Sequence, residues 1–253
     1  TAPIIEAQIV ESFLLNTVNF STMITSKAAR IVDAAGKRGV FDFALRRTHG
    51  YDAALKVARS SYIAGFKGTS NVLAAQRYHL RAVGTMAHSF VMTFESELEG
   101  FRAFSRTFPG RSVLLVDTYN SYSGIANAIT IAKELKKKGF SLQGIRLDSG
   151  DLIGLSKAAR RMLDGAGLPA VRIFASGNLD EYKIEEIVKA NAPIDDFGVG
   201  TNMGTSCDAP FLDVIYKISE VADVMGRFFP TMKLSYRKVT YPGRKQAYRF
   251  HEG

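Results

Sequence analysis

The sequence predicts an α/β fold built on parallel strands, either closed into a barrel or left open. Short apolar runs alternate with helical stretches over the second half of the chain, which argues for strands joined by helical crossovers. The run from Ser112 to Val116 is apolar and β-branched, the mark of a strand covered on both faces. Polar residues also collect directly after each run, as expected where parallel strands end on one rim.

The elements follow in order. Pro3 suits the first turn of a helix carrying Ile5, Ile9, Phe13 and Leu14 inward. A second helix is expected from Ser21, an N-cap, to Ala35, stopped by Gly36. Val40 to Leu45 reads as a strand, Tyr51 to Ser61 as a helix and Asn71 to Tyr78 as another. Arg81 to Thr85 reads as a short strand, and a charged helix near Glu95 to Phe108 closes at Pro109 and Gly110. Strands at Ser112–Val116, Gln143–Asp148, Arg172–Ala175 and Phe197–Val199 then alternate with helices near Ser121–Lys138, Leu152–Ala166 and Leu179–Ala190.

The rhythm breaks after about Val214. Lys233 to Tyr241 and Gln246 to Phe250 flank Pro242 and Gly243, which predicts a β-hairpin. Residues 1–220 are therefore assigned to the α/β core and residues 221–253 to part of a second, β-rich domain. The chain opens at Thr1 in a helix-like segment and stops at Gly253 just after the hairpin, the ends expected of a cut through a longer protein.

Composition narrows the functional classes. A net charge of +9 over 253 residues suits acidic partners such as phosphorylated metabolites. The basic residues are scattered and not gathered on one stretch, which ranks a non-enzymatic nucleic-acid-binding domain last. No apolar run approaches the roughly 20 residues needed to span a bilayer, and no membrane partner is expected. Nothing resembles an export signal, so a cytoplasmic protein is the expectation. Cys207 is the single cysteine, which excludes an intrachain disulfide and a cysteine-rich zinc site.

The segment from Gly144 to Asp151 organises the rest. Period-2 geometry places Arg146 and Asp148 on one face of a strand, with Ile145 and Leu147 on the other. Ser149, Gly150 and Asp151 then turn into a helix, a layout that suits anions, although Asp151 also reads as a plain helix cap. Around it stand Arg46 and Arg47, Thr85 and His88, Asp117, Tyr119 and Asn120, Ser176 and Gly177, and Gly198, Gly200 and Thr201. The arginines supply donors for carboxylate or phosphate. Asp117, Asp148 and Asp151 are candidates for Mg²⁺, and the small residues let backbone N–H groups approach a phosphate. Phe43 and Tyr119 are aromatic surfaces on which a ring can stack, and either can equally belong to the core.

The same residues carry a resemblance. Phe41–Arg47, Gly68–Val72, Gly84–Phe90, Val116–Asn120, Ile145–Asp151, Phe174–Gly177 and Phe197–Thr201 look, in order, like successive motifs of the nicotinate phosphoribosyltransferase family. The resemblance implies the type II phosphoribosyltransferase fold, an irregular, incomplete α/β barrel with an additional domain. It implies transfer of phosphoribosyl from phosphoribosyl pyrophosphate to nicotinate, giving nicotinate mononucleotide and pyrophosphate for NAD biosynthesis, with ATP as co-substrate and Mg²⁺ as cofactor. His88 is similar to the histidine that ATP phosphorylates in this family. Arg146 and Asp148 match the pair near ribose and ring, Phe43 the ring-stacking aromatic and Arg46 a phosphate-side arginine. Ser176, Gly177, Gly198, Gly200 and Thr201 fall where the 5′-phosphate is held. Thr85, Asp117, Tyr119 and Asp151 are read as substrate-side residues, with Asp148 and Asp151 as the metal candidates. The family's N-terminal domain, which lends an aromatic to a neighbouring subunit's site, is largely outside the resemblance; a homodimer or higher homo-oligomer with shared sites is what the family implies. Ser70 stands where nicotinamide-specific relatives carry an acid. A serine hydroxyl donates to a carboxylate that an acid repels, so nicotinate is expected over nicotinamide. Nicotinamide and quinolinate phosphoribosyltransferases are the nearest alternatives.

Overall fold

The computed structural model describes residues 1–237 and 239–250 of the chain. They divide into two compact units, one of residues 20–212 and one of residues 1–19 with the stretch from Asp213 onward.

The larger unit is built on a five-stranded parallel sheet. Its strands are β1 (Gly39–Asp42), β2 (Val113–Leu115), β3 (Gly144–Leu147), β4 (Arg172–Ala175) and β5 (Asp196–Val199), in the spatial order β1-β5-β4-β3-β2. Every pairing is parallel. Two isolated parallel bridges, Asp42 to Thr69 and Thr69 to Ala82, extend the array beyond β1. The stretch expected as a strand at Arg81 to Thr85 thus contributes a single bridge; its residues are largely exposed, and little buries a longer ladder there. Residues from both edges, Arg81 to Thr85 on one and Arg111 and Val113 on the other, line one cavity of about 510 Å³. The sheet is therefore curled as an irregular, incomplete α/β barrel, the expected fold class.

Helices cover the outer face. Ile145 and Leu147 of β3, Ile173 and Ala175 of β4 and Phe197 and Val199 of β5 are all 0% exposed, whereas Arg146 and Phe174 on the alternate positions are only partly buried. Period-2 alternation thus separates a packed outer face from a polar and aromatic inner one. The crossovers are α7 (Ser121–Lys137), α8 (Leu152–Gly165) and α9 (Glu181–Lys189). Each starts on a side-chain cap: Asn120 accepts from Ser123 N at 3.1 Å, Asp151 from Gly154 N at 3.0 Å and Asp180 from Lys183 N at 3.0 Å. Such caps satisfy N–H groups that the helix leaves unpaired, and they end each strand-to-helix turn at a fixed residue.

The first part of the chain departs from expectation in three ways. Helices α1 (Ile4–Ile9) and α2 (Glu11–Ala35) form, but α2 begins ten residues before Ser21, which lies mid-helix and caps nothing. Ile5, Ile9, Phe13 and Leu14, expected inward, are 46–74% exposed. Periodicity gathers apolar residues on one face; burial also needs a facing layer, and none covers these among the described residues. Past Asp42 the expected strand gives way to a 3₁₀ turn, Leu45–Arg47, because the Asp42 carboxylate accepts from Ala44 N at 2.8 Å and bends the chain. Helices α3 (Tyr51–Ile63), α4 (Val72–Tyr78), α5 (His88–Val91) and α6 (Glu97–Thr107) follow, the four-residue α5 being unexpected.

From Lys27 on α2 an ion-pair network ties the packing together. Its ammonium, 2% exposed, lies 2.8 Å from Glu181 and 2.8 Å from Asp208, and Arg30 reaches the same two carboxylates at 2.9 and 2.6 Å. A lysine so deeply buried is tolerated only when paired.

The stretch from Thr201 holds α10 (Thr201–Gly204). In the smaller unit β6 (Glu220–Ala222) and β7 (Phe228–Pro230) form an antiparallel pair. The hairpin expected at residues 233–241 and 246–250 is not present among the described residues; Lys238, within it, lies outside them. The ribbon forms earlier because Asp223 folds its own turn, accepting from Met225 N at 2.9 Å and Arg227 N at 3.0 Å, with Gly226 at φ +78°. Among the described residues no helix is long and apolar enough to cross a membrane.

Candidate active site at the carboxyl ends of the strands

Arg146 is the hub. Its inward position on β3 sends the guanidinium under the rim, 15% exposed, where one fork meets three elements. Nε donates to Ser176 Oγ at 2.7 Å, Nη1 to Thr85 Oγ1 at 3.0 Å and Nη2 to Asp148 Oδ1 at 2.5 Å. The Ser176 hydroxyl in turn donates to Asp148 Oδ1. A planar group with fixed donors is well suited to hold a threonine, a serine and a carboxylate in one geometry. Burial alone raises the Asp148 pKa; the Arg146 charge and the hydrogen bonds from Ser176 and Arg146 outweigh it, and the carboxyl is held below the usual aspartate range.

Asp148 also faces His88. The His88 Nε2 lies 3.6 Å from Asp148 Oδ2, while Nδ1 lies 3.1 Å from Thr118 Oγ1. The imidazole is thus anchored through Nδ1 and presents Nε2 toward the carboxylate, with its side chain 39% exposed. Beneath this pair, Asp117 Oδ2 accepts from Asp148 N at 2.8 Å and from Ser149 Oγ at 2.7 Å. The other oxygen, Oδ1, is buried without a hydrogen-bond partner among the described residues. A carboxylate with an open, desolvated lone pair beside a second carboxylate fits a hard cation that also binds substrate phosphate. Among the described residues no group of three or more His, Cys, Asp or Glu suits a metal ion, so protein oxygens alone do not complete such a site.

An aromatic wall stands beside the hub. The Phe43 and Phe174 rings stack at 5.6 Å and 20°, and Arg146 Cζ lies 5.3 Å from the Phe43 ring centroid. Between them, at position 198, a Cβ would come within 2.8 Å of both rings, so only glycine fits. Gly177 is required for a different reason: its φ is +101°, and a Cβ there would lie 2.0 Å from the Asp148 carbonyl. Ser70 is brought alongside by its own N–H, which donates to Asp42 O at 2.8 Å.

The remaining sequence-derived candidates divide. Thr201 meets Arg47, with Oγ1 3.4 Å from Nη1, and Gly200 packs against the Phe43 carbonyl. Arg46 sits exposed in the 3₁₀ turn, and its guanidinium makes no ion pair or hydrogen bond among the described residues. Tyr119 is 65% exposed and stacks on no ring there. Asp151 spends Oδ1 on the α8 cap, and Oδ2 lies against Gly154. Two residues of the site, Thr118 and Phe174, were not singled out from sequence, nor were Asp42 and Thr69, buried behind it. Phe174 alone carried a readable signal, since it shares the inner face of β4 with Ser176 by period 2.

Comparison with known proteins agrees with this geometry. A model of the nicotinate phosphoribosyltransferase (NAPRTase) family matches residues 39–229. Nicotinate phosphoribosyltransferase pncB2 of Mycobacterium tuberculosis is 53% identical over 248 residues, covering 98% of this chain and 52% of that protein. The Bacillus subtilis nicotinate phosphoribosyltransferase is 44% identical over 251 residues, covering 98% and 51%. The crystal structure of human nicotinic acid phosphoribosyltransferase superposes with a TM-score of 0.74 at 26% identity, over 79% of this chain and 51% of that one. The nicotinate-nucleotide pyrophosphorylase of Pyrococcus furiosus gives 0.69 at 32%, over 81% and 51%. The chain spans about half the length of the curated relatives it matches.

Proposed function

Because the chain belongs to the nicotinate phosphoribosyltransferase family, we propose that it transfers phosphoribosyl from phosphoribosyl pyrophosphate to nicotinate, giving nicotinate mononucleotide and pyrophosphate. The observation that carries this reading is the Arg146 fork, which gathers Thr85, Ser176 and Asp148 at one strand end with His88 facing the same carboxylate. Such a transfer breaks the bond from sugar C1′ to pyrophosphate and forms one to the ring nitrogen, through a sugar with oxocarbenium character. It needs fixed charges and donors more than a strong nucleophile.

Each residue then has a role. Phe43 stacks on the pyridine ring, and Ser70 donates to its carboxylate. Arg146 and Asp148 lie at the ribose, where the carboxylate faces the positive charge developing on the sugar. The backbone at Gly177 and Gly200, with Ser176 and Thr201, receives the 5′-phosphate, and Arg46 and Arg47 face the anions from the rim. Asp117 Oδ1 and Asp148 are the oxygens that would hold Mg²⁺, which when bound neutralises pyrophosphate charge.

ATP enters through His88. Phosphoryl transfer calls for the tautomer in which Nδ1–H donates to Thr118 Oγ1, leaving the Nε2 lone pair free to attack. Attack of Nε2 on the γ-phosphorus of ATP forms the N–P bond and releases ADP. The phosphohistidine places negative charge beside the pyrophosphate subsite, and its hydrolysis to inorganic phosphate couples ATP to product formation.

The test is mononucleotide formation with and without ATP in the wild type and in His88→Ala. Loss of ATP stimulation with a slow residual reaction supports the reading; unchanged coupling refutes it. A second reading, quinolinate as the base, draws on the cavity behind Phe43 and Phe174, whose lining includes Arg81, Arg111 and Arg172. That reaction releases carbon dioxide from quinolinate and needs no ATP, so a carbon dioxide assay separates the two.

A further inference from the structure

We propose that the buried Asp42–Thr69 hydrogen bond is a positioning device for base recognition, locking Ser70 and Phe43 in register so that the ring and its carboxylate are read together. The proposal rests on the nicotinate reading above and adds to it two residues that contact no substrate.

Asp42 ends β1 and is 1% exposed, yet among the described residues it has no cationic partner. A carboxylate buried in that way is costly unless every oxygen is hydrogen-bonded. Both are: Oδ1 accepts from Ala44 N at 2.8 Å, and Oδ2 accepts from Thr69 Oγ1 at 2.6 Å. Thr69, also 1% exposed, accepts Asn71 N on the same hydroxyl at 2.9 Å. With one lone pair so engaged, the hydroxyl proton is directed at Asp42. An asparagine would be easier to bury, but only one of its two terminal atoms accepts, so it cannot take both donors.

The backbone repeats the same coupling. Asp42 N donates to Gly68 O at 2.9 Å, and Ser70 N donates back to Asp42 O at 2.8 Å, with Thr69 between them. Thr69 is bonded on its other side, its N donating to Arg81 O and its O accepting from Val83 N, each at 3.0 Å. Phe43, the residue after Asp42, donates its N–H to Val199 O at 2.8 Å. Asp42 is thus the residue between the two ring-reading groups: Phe43 follows it in the chain and Ser70 hangs on its carbonyl. The side-chain bond to Thr69 fixes the angle between them. Burial pushes the Asp42 carboxyl above its ordinary pKa, with the hydrogen bonds from Thr69 and Ala44 acting against that rise.

Thr69→Val removes the hydroxyl and keeps the shape. The nicotinate Kd and KM are expected to rise about tenfold, while kcat and the phosphoribosyl pyrophosphate KM stay within about twofold. Thr69→Ser is expected to restore nicotinate affinity. In a Ser70→Ala background the Thr69→Val effect should shrink to about twofold, because Thr69 acts through Ser70. Asp42→Asn is expected to give the same split, and it serves if Thr69→Val does not fold. Parallel rises in both KM values, or a full Thr69→Val effect in the Ser70→Ala background, overturn the proposal in favour of general destabilisation. Wild type that binds nicotinate no better than Thr69→Val overturns the proposal alone. Wild type that does not bind nicotinate at all overturns the functional reading and the proposal with it.

Discussion

Arg146 Nη2 lies 2.5 Å from Asp148 Oδ1, two residues further along the same strand end, and Ser176 bonds to both side chains. This triangle joins the ends of β3 and β4, and it turns a costly buried pair into a fixed array of charge. One consequence is that neither member can be changed without stranding the other. Arg146→Ala is expected to lower kcat/KM at least about 10³-fold and to cost on the order of 3 kcal/mol of stability. Arg146→Lys keeps the charge but not the fork and should still lose about 10²-fold. Steady-state kinetics and denaturant unfolding check both.

Acid sensitivity follows from Asp148. Its folded-state pKa is depressed, so its contribution to stability is present above the ordinary aspartate value of 3.8 and is lost as pH falls through the lower folded value. Below pH 3.8 the wild type should lose stability more steeply than Asp148→Asn, which has no such proton to take up. Unfolding free energies measured across the acid range test this, and superimposable slopes would contradict it.

The histidine depends on its threonine. Thr118→Val removes the partner of His88 Nδ1 and frees the tautomer. Acid-labile phosphate incorporation from ATP should fall about tenfold, while the ATP-independent reaction stays within about twofold. His88→Ala should abolish incorporation.

Substrate choice turns on one position. Ser70→Asp places a negative charge at the pyridine carboxylate and should lower kcat/KM for nicotinate about 10²-fold relative to nicotinamide. Parallel assays with the two bases measure the ratio, and an unchanged ratio would remove Ser70 from recognition.

Alkaline stability depends on Lys27. Its removal leaves Glu181, 8% exposed, with Arg30 as its one cationic partner among the described residues, and Lys27→Ala should cost about 3 kcal/mol without changing either KM. Burial lowers the lysine pKa, but hydrogen bonds and charges from Asp208 and Glu181 reverse this and raise it above 10.5. Its contribution is therefore full below pH 10.5 and lost as pH rises through the higher folded value. Denaturant unfolding at neutral and alkaline pH measures both effects.

What was legible in the sequence is what local periodicity encodes. Period 2 places Arg146, Asp148 and Ser176 on the inner side of their strands, and Thr85 and His88 reach the same rim although the strand expected before them is a single bridge. What was not legible lies in contacts between distant segments. The Asp42–Thr69 bond joins residues 27 apart and the His88–Thr118 bond residues 30 apart, and a threonine in a strand or turn has no pattern that marks it as a partner. Asp151 was open to two readings, since an acid after a strand serves a metal or a helix N-terminus equally well, and its Oδ1 caps α8. Pro242 and Gly243 gave a strong turn signal, but the ribbon forms around Asp223, whose carboxylate closes its own turn.

The central claim is tested most directly by incubating the protein with nicotinate, phosphoribosyl pyrophosphate, ATP and Mg²⁺ and separating the nucleotides formed. The expected result is nicotinate mononucleotide and pyrophosphate in equal amounts, abolished by Arg146→Ala and by Asp148→Ala. Mononucleotide formation that survives both substitutions would contradict a reaction centred on the Arg146–Asp148 pair.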